Sequence, residues 1–133
     1  MPIGLDTNIL VHATVVQDRE KHEKAKQLLK EIVENGDYLL SLQVIGEYYA
    51  TILRVAPELA EEARELIDIL ATPENTVHYD LDTLNQALKI TKSPGKYWDK
   101  LLALTYLRAG AQIVATENEK DFKDIITTIN PLK

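Results

Sequence analysis

The stretch IGLDTN at residues 3–8 determines how the rest of the chain is interpreted. A short apolar run, residues 3–5, gives way to Asp6, Thr7 and Asn8 before apolar residues resume. A strand followed at once by a helix produces this pattern, because Asp, Thr and Asn are favoured at helix N-termini. Asp6 is therefore either a helix cap or the first of several carboxylates around a metal ion.

Short apolar runs alternate with helical patterns along the whole chain. Predicted strands lie at residues 3–5, 38–41, 77–79, 112–115 and 126–129. Apolar spacing and end signals predict helices at residues 7–15, 18–35, 43–55, 57–71, 80–90 and 97–109. This alternation predicts a single α/β domain over residues 1–133, with a mainly parallel central sheet of four to five short strands and helices on both faces. In such sheets, sites form outside the carboxyl ends of the strands.

The composition restricts the classes of function. The 133 residues include no cysteine, which excludes disulfides and thiolate metal sites. A net charge of −6 argues against a protein that coats nucleic acid nonspecifically, but it suits a site for Mg²⁺ or Mn²⁺, which prefer carboxylate oxygens. The histidines show no ligand spacing; they are His12, His22 and His78. No apolar run or leader suggests a membrane or export, so we expect a cytoplasmic protein.

Glu47 lies within a helical pattern at the edge of its apolar stripe. The residues predicted to form the buried stripe are Val44, Tyr48, Thr51, Ile52 and Val55. Glu47 falls roughly 60° from the middle of that stripe at about 100° per residue. This position suits a solvated boundary residue as well as a functional acid.

Asp99 is more informative, because it shares a helix face with Leu102, Ala103 and Tyr106. A buried carboxylate without a partner is costly, so Asp99 requires a partner, a cation or contact with water. Its place in the first turn gains only about 0.3–1 kcal/mol from the helix dipole. A cleft that holds a cation suits this residue better than the apolar core does.

A fourth acidic segment, VATENEKDF, occupies residues 114–122. A predicted strand ends there and polar residues follow at once. Its polar members are Thr116, Glu117, Asn118, Glu119 and Asp121. Judged by charge alone, such a run is typical of a solvated loop, although it lies at a carboxyl strand end where sites form.

Together these segments resemble the PIN-domain family, and within it the VapC-type toxins of toxin–antitoxin pairs. The matching stretches are LDTNIL, SLQVIGEYY, YWDKLLAL and TENEKDF, in order over residues 3–122. The resemblance implies a PIN-like fold and endonucleolytic cleavage of RNA by water, with Mg²⁺ or Mn²⁺ as cofactor. It also implies a small antitoxin protein as partner, and homodimers are common in the family.

The resemblance assigns the site residues. Asp6, Glu47 and Asp99 are the three main catalytic and metal-binding acids. The fourth position departs from the most acidic family pattern, since Asn118 stands where many relatives have an aspartate. We assign the fourth catalytic and metal-binding role to Asp121 together with Asn118, without choosing between them. The side chains expected to orient the carboxylates are Thr7, Asn8 and Thr116.

Residues 89–100, KITKSPGKYWDK, form the most cationic segment. Four lysines and one aspartate give a local charge of four minus one, or +3. The residues predicted to contact RNA are Lys92, Lys96, Tyr97, Trp98 and Lys100, with the aromatic rings stacking on unpaired bases. The alternative is that the lysines form a solvated rim and Trp98 belongs to the core.

Other classes of protein stay open at this point. A catalytically silent PIN-fold module that binds a protein would use the acids structurally. A PIN nuclease that processes RNA without being a toxin would share the whole site. A haloacid-dehalogenase-like phosphohydrolase is disfavoured, since its Asp-x-Asp start is absent: the second residue after Asp6 is Asn8. We expect the nuclease, and within that class the toxin.

Overall fold

The computed structural model describes residues 2–133 and alternates short strands with helices. The strands are β1 (Ile3–Leu5), β2 (Tyr38–Ser41), β3 (Thr76–Val77), β4 (Ile113–Ala115) and β5 (Thr127–Ile129). The α-helices are α1 (Thr7–Thr14), α2 (Arg19–Asn35), α3 (Leu42–Val55), α4 (Ala60–Leu70), α5 (Leu81–Ile90) and α6 (Tyr97–Arg108). Three short 3₁₀ turns lie at Pro57–Leu59, Pro94–Lys96 and Glu119–Asp121.

The strands form one parallel sheet in the order β3-β2-β1-β4-β5. β1 lies at the centre, with Gly4 opposite Leu39 of β2 on one side and Val114 of β4 on the other. The chain builds outward from β1 to β3 and then returns to the opposite side of β1 for β4. This reversal creates the crevice at which open α/β sheets bind ligands. The prediction of an α/β fold with a mainly parallel sheet is confirmed.

Local capping explains where most helices begin and end. The side chains of Asp6, Asp18, Ser41 and Asp80 accept hydrogen bonds from backbone N–H groups at the starts of α1, α2, α3 and α5. Gly36 ends α2 in the left-handed conformation, with φ 72°. The predicted boundaries therefore agree with the structure to within one or two residues for these four helices.

Two predictions of local structure are wrong. β3 starts one residue earlier than predicted, at Thr76, and it ends two residues earlier, at Val77, because its partner β2 ends at Ser41, opposite Val77. Val55 does not belong to the buried stripe of α3, because it is the last residue of the helix and is 43% exposed. Val44 of the same stripe is fully buried, as predicted.

The apolar helix α6 packs on two sides, which explains its composition. Leu102, Ala103 and Tyr106 belong to the main core with β1, β2 and β4. Leu101 and Leu104 instead pack with Ala87 of α5 in a smaller buried cluster. Within residues 2–133 no helix combines the length and hydropathy required to cross a bilayer.

We expect Gly4→Ala to lower the free energy of unfolding by about 1–3 kcal/mol, because overpacked cores strain their neighbours. A Cβ at this position would lie 2.6 Å from Cγ and Cδ2 of the buried Tyr106 ring. Urea denaturation followed by circular dichroism measures the effect. The matched control is Gly46→Ala in α3, where nothing lies within 4 Å of the added Cβ. That variant should gain about 0.5–1 kcal/mol from helix propensity, and equal stability of the two would contradict the packing argument.

Candidate functional site

A polar pocket of about 360 Å³ opens at the carboxyl edge of the sheet. The three predicted acids Asp6, Glu47 and Asp99 all line it. They come from the end of β1, from the second turn of α3 and from the first turn of α6. The other lining residues are Thr7, Asn8, Val11, His12, Gln17 and Asn118. The fold thus gathers side chains that are far apart in the sequence.

Asp6 is the most constrained of these acids and is only 7% exposed. Its Oδ1 accepts a hydrogen bond from the Thr7 backbone N–H at 2.7 Å. Its Oδ2 accepts bonds from Thr116 Oγ1 at 2.7 Å and from Asn8 Nδ2 at 3.3 Å. Asp6 therefore caps α1 and faces the pocket at once, so the two interpretations of IGLDTN are compatible. The three residues predicted to orient the carboxylates all make contacts of this kind.

Glu47 lies at the exposed rim of the pocket and is held by Thr7 of α1. Thr7 Oγ1 donates to Glu47 Oε1 at 3.1 Å, which links α1 to α3 across the pocket. Partial burial of the carboxylate raises the pKa of Glu47, and the charge of Asp99 acts in the same direction. Hydrogen bonds from Thr7 and Gln43 oppose that shift without cancelling it.

The pKa values of the other two main acids are raised as well. Burial raises the pKa of Asp6 above its ordinary value, and the charges of Glu47 and Asp121 add to the effect. Burial also raises the pKa of Asp99 to about 6, with further contributions from Asp6 and Asp121 and an opposing one from Lys96. The pocket therefore disfavours the ionised state of all three carboxyls. A bound cation would reverse this preference.

Asn118 and Asp121 occupy different places. Asn118 lines the pocket, whereas Asp121 is ion-paired with Lys96 Nζ and lies close enough to influence the pKa of Asp6 and Asp99. Asp121 N donates to Asn118 O at 3.0 Å, so both belong to one turn. Asn118 thus shares the pocket with the three acids as a candidate ligand, whereas Asp121 acts on them through its charge.

The donor set fits a hard divalent cation by its chemistry. The carboxylate and amide oxygens in the pocket are the ligands that Mg²⁺ and Mn²⁺ prefer. Across residues 2–133, however, no three His, Asp or Glu side chains stand close enough together to hold a metal ion as they are placed. Coordination by Asp6, Glu47 and Asp99 together would therefore require side-chain movement toward a common point.

Sequence reasoning missed an ion-pair cluster beside the pocket, formed by His12, Lys21 and Glu117. Glu117 Oε1 lies 2.8 Å from His12 Nε2, and Glu117 Oε2 lies 2.6 Å from Lys21 Nζ. Burial opposes ionisation of Glu117, but Lys21 and His12 together outweigh it and lower the pKa of this carboxyl. The only sequence signal was the position of Glu117 next to Asn118, since nothing local connects it with α1 or α2.

The cationic segment is partly neutralised in the fold. Lys96 pairs with Asp121 and Lys100 pairs with Asp124. Lys92 is exposed and makes no ion pair within the described part of the chain. Trp98 is 55% exposed, so the alternative that it belongs to the core is wrong. Its ring meets that of the half-buried Tyr97 edge to face, with centroids 5.1 Å apart.

We expect Asp99→Asn to stabilise the metal-free protein at neutral pH by about 1 kcal/mol. The gain in the free energy of unfolding is small because solvent partly screens this half-buried carboxyl. Because the folded pKa of about 6 lies above the ordinary value of 3.8, the folded state binds this proton more tightly than the unfolded chain does. The wild type therefore loses stability as pH rises through about 6, and the variant lacks that loss. Urea denaturation at several pH values between about 4 and 8 measures both.

The matched control is Asp68→Asn on the exposed face of α4, away from the pocket. It shows how the loss of a carboxylate outside the pocket affects stability over the same pH range. A stability difference for Asp99→Asn that does not change with pH would contradict the raised pKa.

Comparison with known proteins identifies the family. The PIN domain family model matches residues 3–126. Among solved structures, a chain of FitAB bound to an IR36 DNA fragment is 19% identical, with 98% of this chain and 96% of that chain covered and a TM-score of 0.74. FitAcB from Neisseria gonorrhoeae is 21% identical, with 97% of each chain covered and a TM-score of 0.73.

A third similar structure is VapC20 from Mycobacterium tuberculosis, a Sarcin-Ricin loop cleaving toxin. It is 17% identical, with 93% of this chain and 96% of that chain covered and a TM-score of 0.66. No curated protein matches the sequence significantly. The structural similarities, at these identities, show a shared fold, and the family match extends over nearly the whole sequence. The chain belongs to the PIN-domain family.

Proposed function

We propose that this protein is a Mg²⁺- or Mn²⁺-dependent endoribonuclease. One observation carries the proposal: three carboxyls from β1, α3 and α6 line one pocket, and the fold raises the pKa of each. No lysine or arginine forms an ion pair with Asp6, Glu47 or Asp99 within residues 2–133. A divalent cation would supply the missing positive charge.

The residues that would hold the cation are Asp6, Glu47, Asp99 and Asn118, with Asp121 contributing charge from a greater distance. When bound, such an ion lowers the pKa of a coordinated water and stabilises the negative charge that develops on a phosphate. Thr116 and the Thr7 backbone N–H fix the orientation of the Asp6 carboxylate. Since Asp99 is protonated below a pH of about 6, cation binding should weaken as the pH falls below that value.

RNA would reach the pocket along the first turn of α6 and the segment that precedes it. Trp98 directly precedes Asp99 and exposes more than half of its surface, which suits stacking on an unpaired base. Lys92 supplies a cation that no acid of the described chain neutralises. With a net charge of −6, the protein would depend on such a local contact rather than on general attraction to phosphates.

The biological role we propose is that of a VapC-type toxin, neutralised by a small antitoxin and active in the cytoplasm as a homodimer. Support comes from the four family motifs and from the fold shared with the toxin VapC20. A PIN nuclease that processes RNA is the alternative within the same chemistry. Growth arrest on induced expression of the wild type, relieved by a co-expressed antitoxin, distinguishes the toxin from that alternative.

A catalytically silent protein-binding module is the second candidate. The observation that favours it is the spacing of the acids, which do not form a ready three-ligand group among residues 2–133. The raised pKa values argue against it, because a purely structural role gives no reason to gather three carboxyls without an ion-pair partner around one pocket. Manganese binding by the purified protein separates the two candidates.

We expect Asp6→Asn and Asp99→Asn each to reduce Mn²⁺-dependent cleavage of RNA by more than about 100-fold, because each removes a charged ligand. Cleavage of a fluorescently labelled single-stranded RNA measures the rate, and chelation by EDTA should abolish it in the wild type. Asp82→Asn is the matched control, since Asp82 is an exposed acid in the first turn of α5. Activity retained in both pocket variants would refute the catalytic assignment.

We expect Trp98→Ala to weaken binding of single-stranded RNA by about 1–3 kcal/mol, the contribution of one stacked base. The measurement is fluorescence anisotropy in the inactive Asp99→Asn background. Leu88→Ala is the control, because Leu88 on α5 is an apolar side chain of similar exposure, 58% against 55%. Equal affinities of the two variants would exclude the proposed stacking contact.

A further inference from the structure

A tyrosine hydroxyl occupies the place of a backbone hydrogen bond between β1 and β2. The two strands pair with Gly4 opposite Leu39. In a parallel ladder of this register, the next bond would run from Ser41 N to Leu5 O. Instead, Ser41 N donates to Tyr106 Oη at 3.1 Å, and Tyr106 Oη donates to Leu5 O at 2.5 Å. The hydroxyl is therefore inserted between the carboxyl ends of the two strands.

The packing around the tyrosine allows this insertion. Tyr106 is completely buried, and its ring lies against the backbone of Gly4, where any side chain would collide with it. Burial raises the pKa of the Tyr106 hydroxyl far above its ordinary value, so the proton needed for the bond to Leu5 O stays in place. The insertion thus depends on a pair of residues, a glycine in β1 and a tyrosine in α6.

The hydroxyl joins the end of β1, the junction between β2 and α3, and α6, and each of these places leads to one of the three main acids. Leu5 directly precedes Asp6. Ser41 caps α3, because its Oγ accepts a bond from Gln43 N at 3.1 Å, and α3 carries Glu47. Tyr106 itself lies on α6, about two turns after Asp99, which the same helix carries in its first turn.

We propose that Tyr106 is a positioning residue whose hydroxyl holds the ends of β1 and β2 apart and so sets the relative positions of Asp6, Glu47 and Asp99. Without it, Ser41 N and Leu5 O would lose the group that bridges them, and the start of α3 would be held less firmly relative to β1. The consequence for metal binding rests on the function proposed above. The insertion itself does not.

The first test uses metal-free protein and compares Tyr106→Phe with Tyr38→Phe. Tyr38 is a matched control, because its hydroxyl is also buried and donates to a backbone carbonyl, Leu70 O, at 2.6 Å. Amide hydrogen exchange by NMR should show the Ser41 amide exchanging at least about ten-fold faster in Tyr106→Phe than in Tyr38→Phe. The Leu40 amide, bonded to Asn75 O, is the internal reference in both variants.

The second test measures Mn²⁺ binding by isothermal titration calorimetry. Tyr106→Phe should bind Mn²⁺ about ten-fold more weakly than the wild type, because a group that orients metal ligands is lost. The affinity of Tyr38→Phe for Mn²⁺ should stay within about two-fold of the wild-type value. Gly4→Ala, which displaces the ring but keeps the hydroxyl, should weaken binding in the same direction.

The outcomes are separable from those of the proposed function. Three results would each overturn the positioning role. In Tyr106→Phe, the Ser41 amide could keep its wild-type protection from exchange, or the affinity for Mn²⁺ could stay at the wild-type value. The third result is an equal loss of Mn²⁺ affinity in both tyrosine variants. If the wild type binds no Mn²⁺, the proposed metal-dependent function fails. The exchange of the Ser41 amide then still decides whether the Tyr106 hydroxyl takes the hydrogen bond of that amide between the ends of β1 and β2.

Discussion

The structure depends on the burial of one carboxylate at the end of its central strand. Asp6 is almost inaccessible, and each of its oxygens needs a donor to offset the loss of water. Those donors come from the start of α1 and from Thr116 at the end of β4, the neighbouring strand. Satisfying Asp6 therefore brings the carboxyl ends of β1 and β4 together, and the pocket forms around that junction.

The acids around the pocket divide into two electrostatic classes. Glu117 and Asp121 each form an ion pair with a lysine and so have a counter-charge within the protein, although the charge of Asp121 still raises the pKa of Asp6 and Asp99. Asp6, Glu47 and Asp99 have raised pKa values and form no such pair within residues 2–133. At an effective dielectric near 20, two carboxylates about 4 Å apart repel by roughly 4 kcal/mol. The second class is therefore the one that a divalent cation would stabilise.

Position in the fold, rather than charge in the sequence, separates these classes. Glu117 and Asn118 are neighbours, yet one is held by α1 and α2 and the other lines the pocket. Likewise, Lys96 and Lys92 belong to one cationic segment, but only Lys92 keeps its charge free of an acid within the described residues. A count of acids and lysines cannot make these distinctions.

The sequence by itself determined the strands, the helices and most of their ends, because periodicity and capping are local properties of the chain. The caps Asp6 and Ser41 and the stop at Gly36 follow from residue type alone. The motifs also singled out the three acids that the structure places in one pocket. Where local rules failed, at Val55 and at the end of β3, the cause was the end of an element or of its partner.

Only the tertiary structure decided which acids are compensated, that Trp98 is exposed, and that Tyr106 lies between β1 and β2. Each of these features joins residues from different elements; Tyr106 and Leu5, for example, are 101 positions apart. Such contacts arise from packing and strand register, which local patterns do not specify. The chemistry of the pocket therefore follows from residue type, and its geometry follows from the fold.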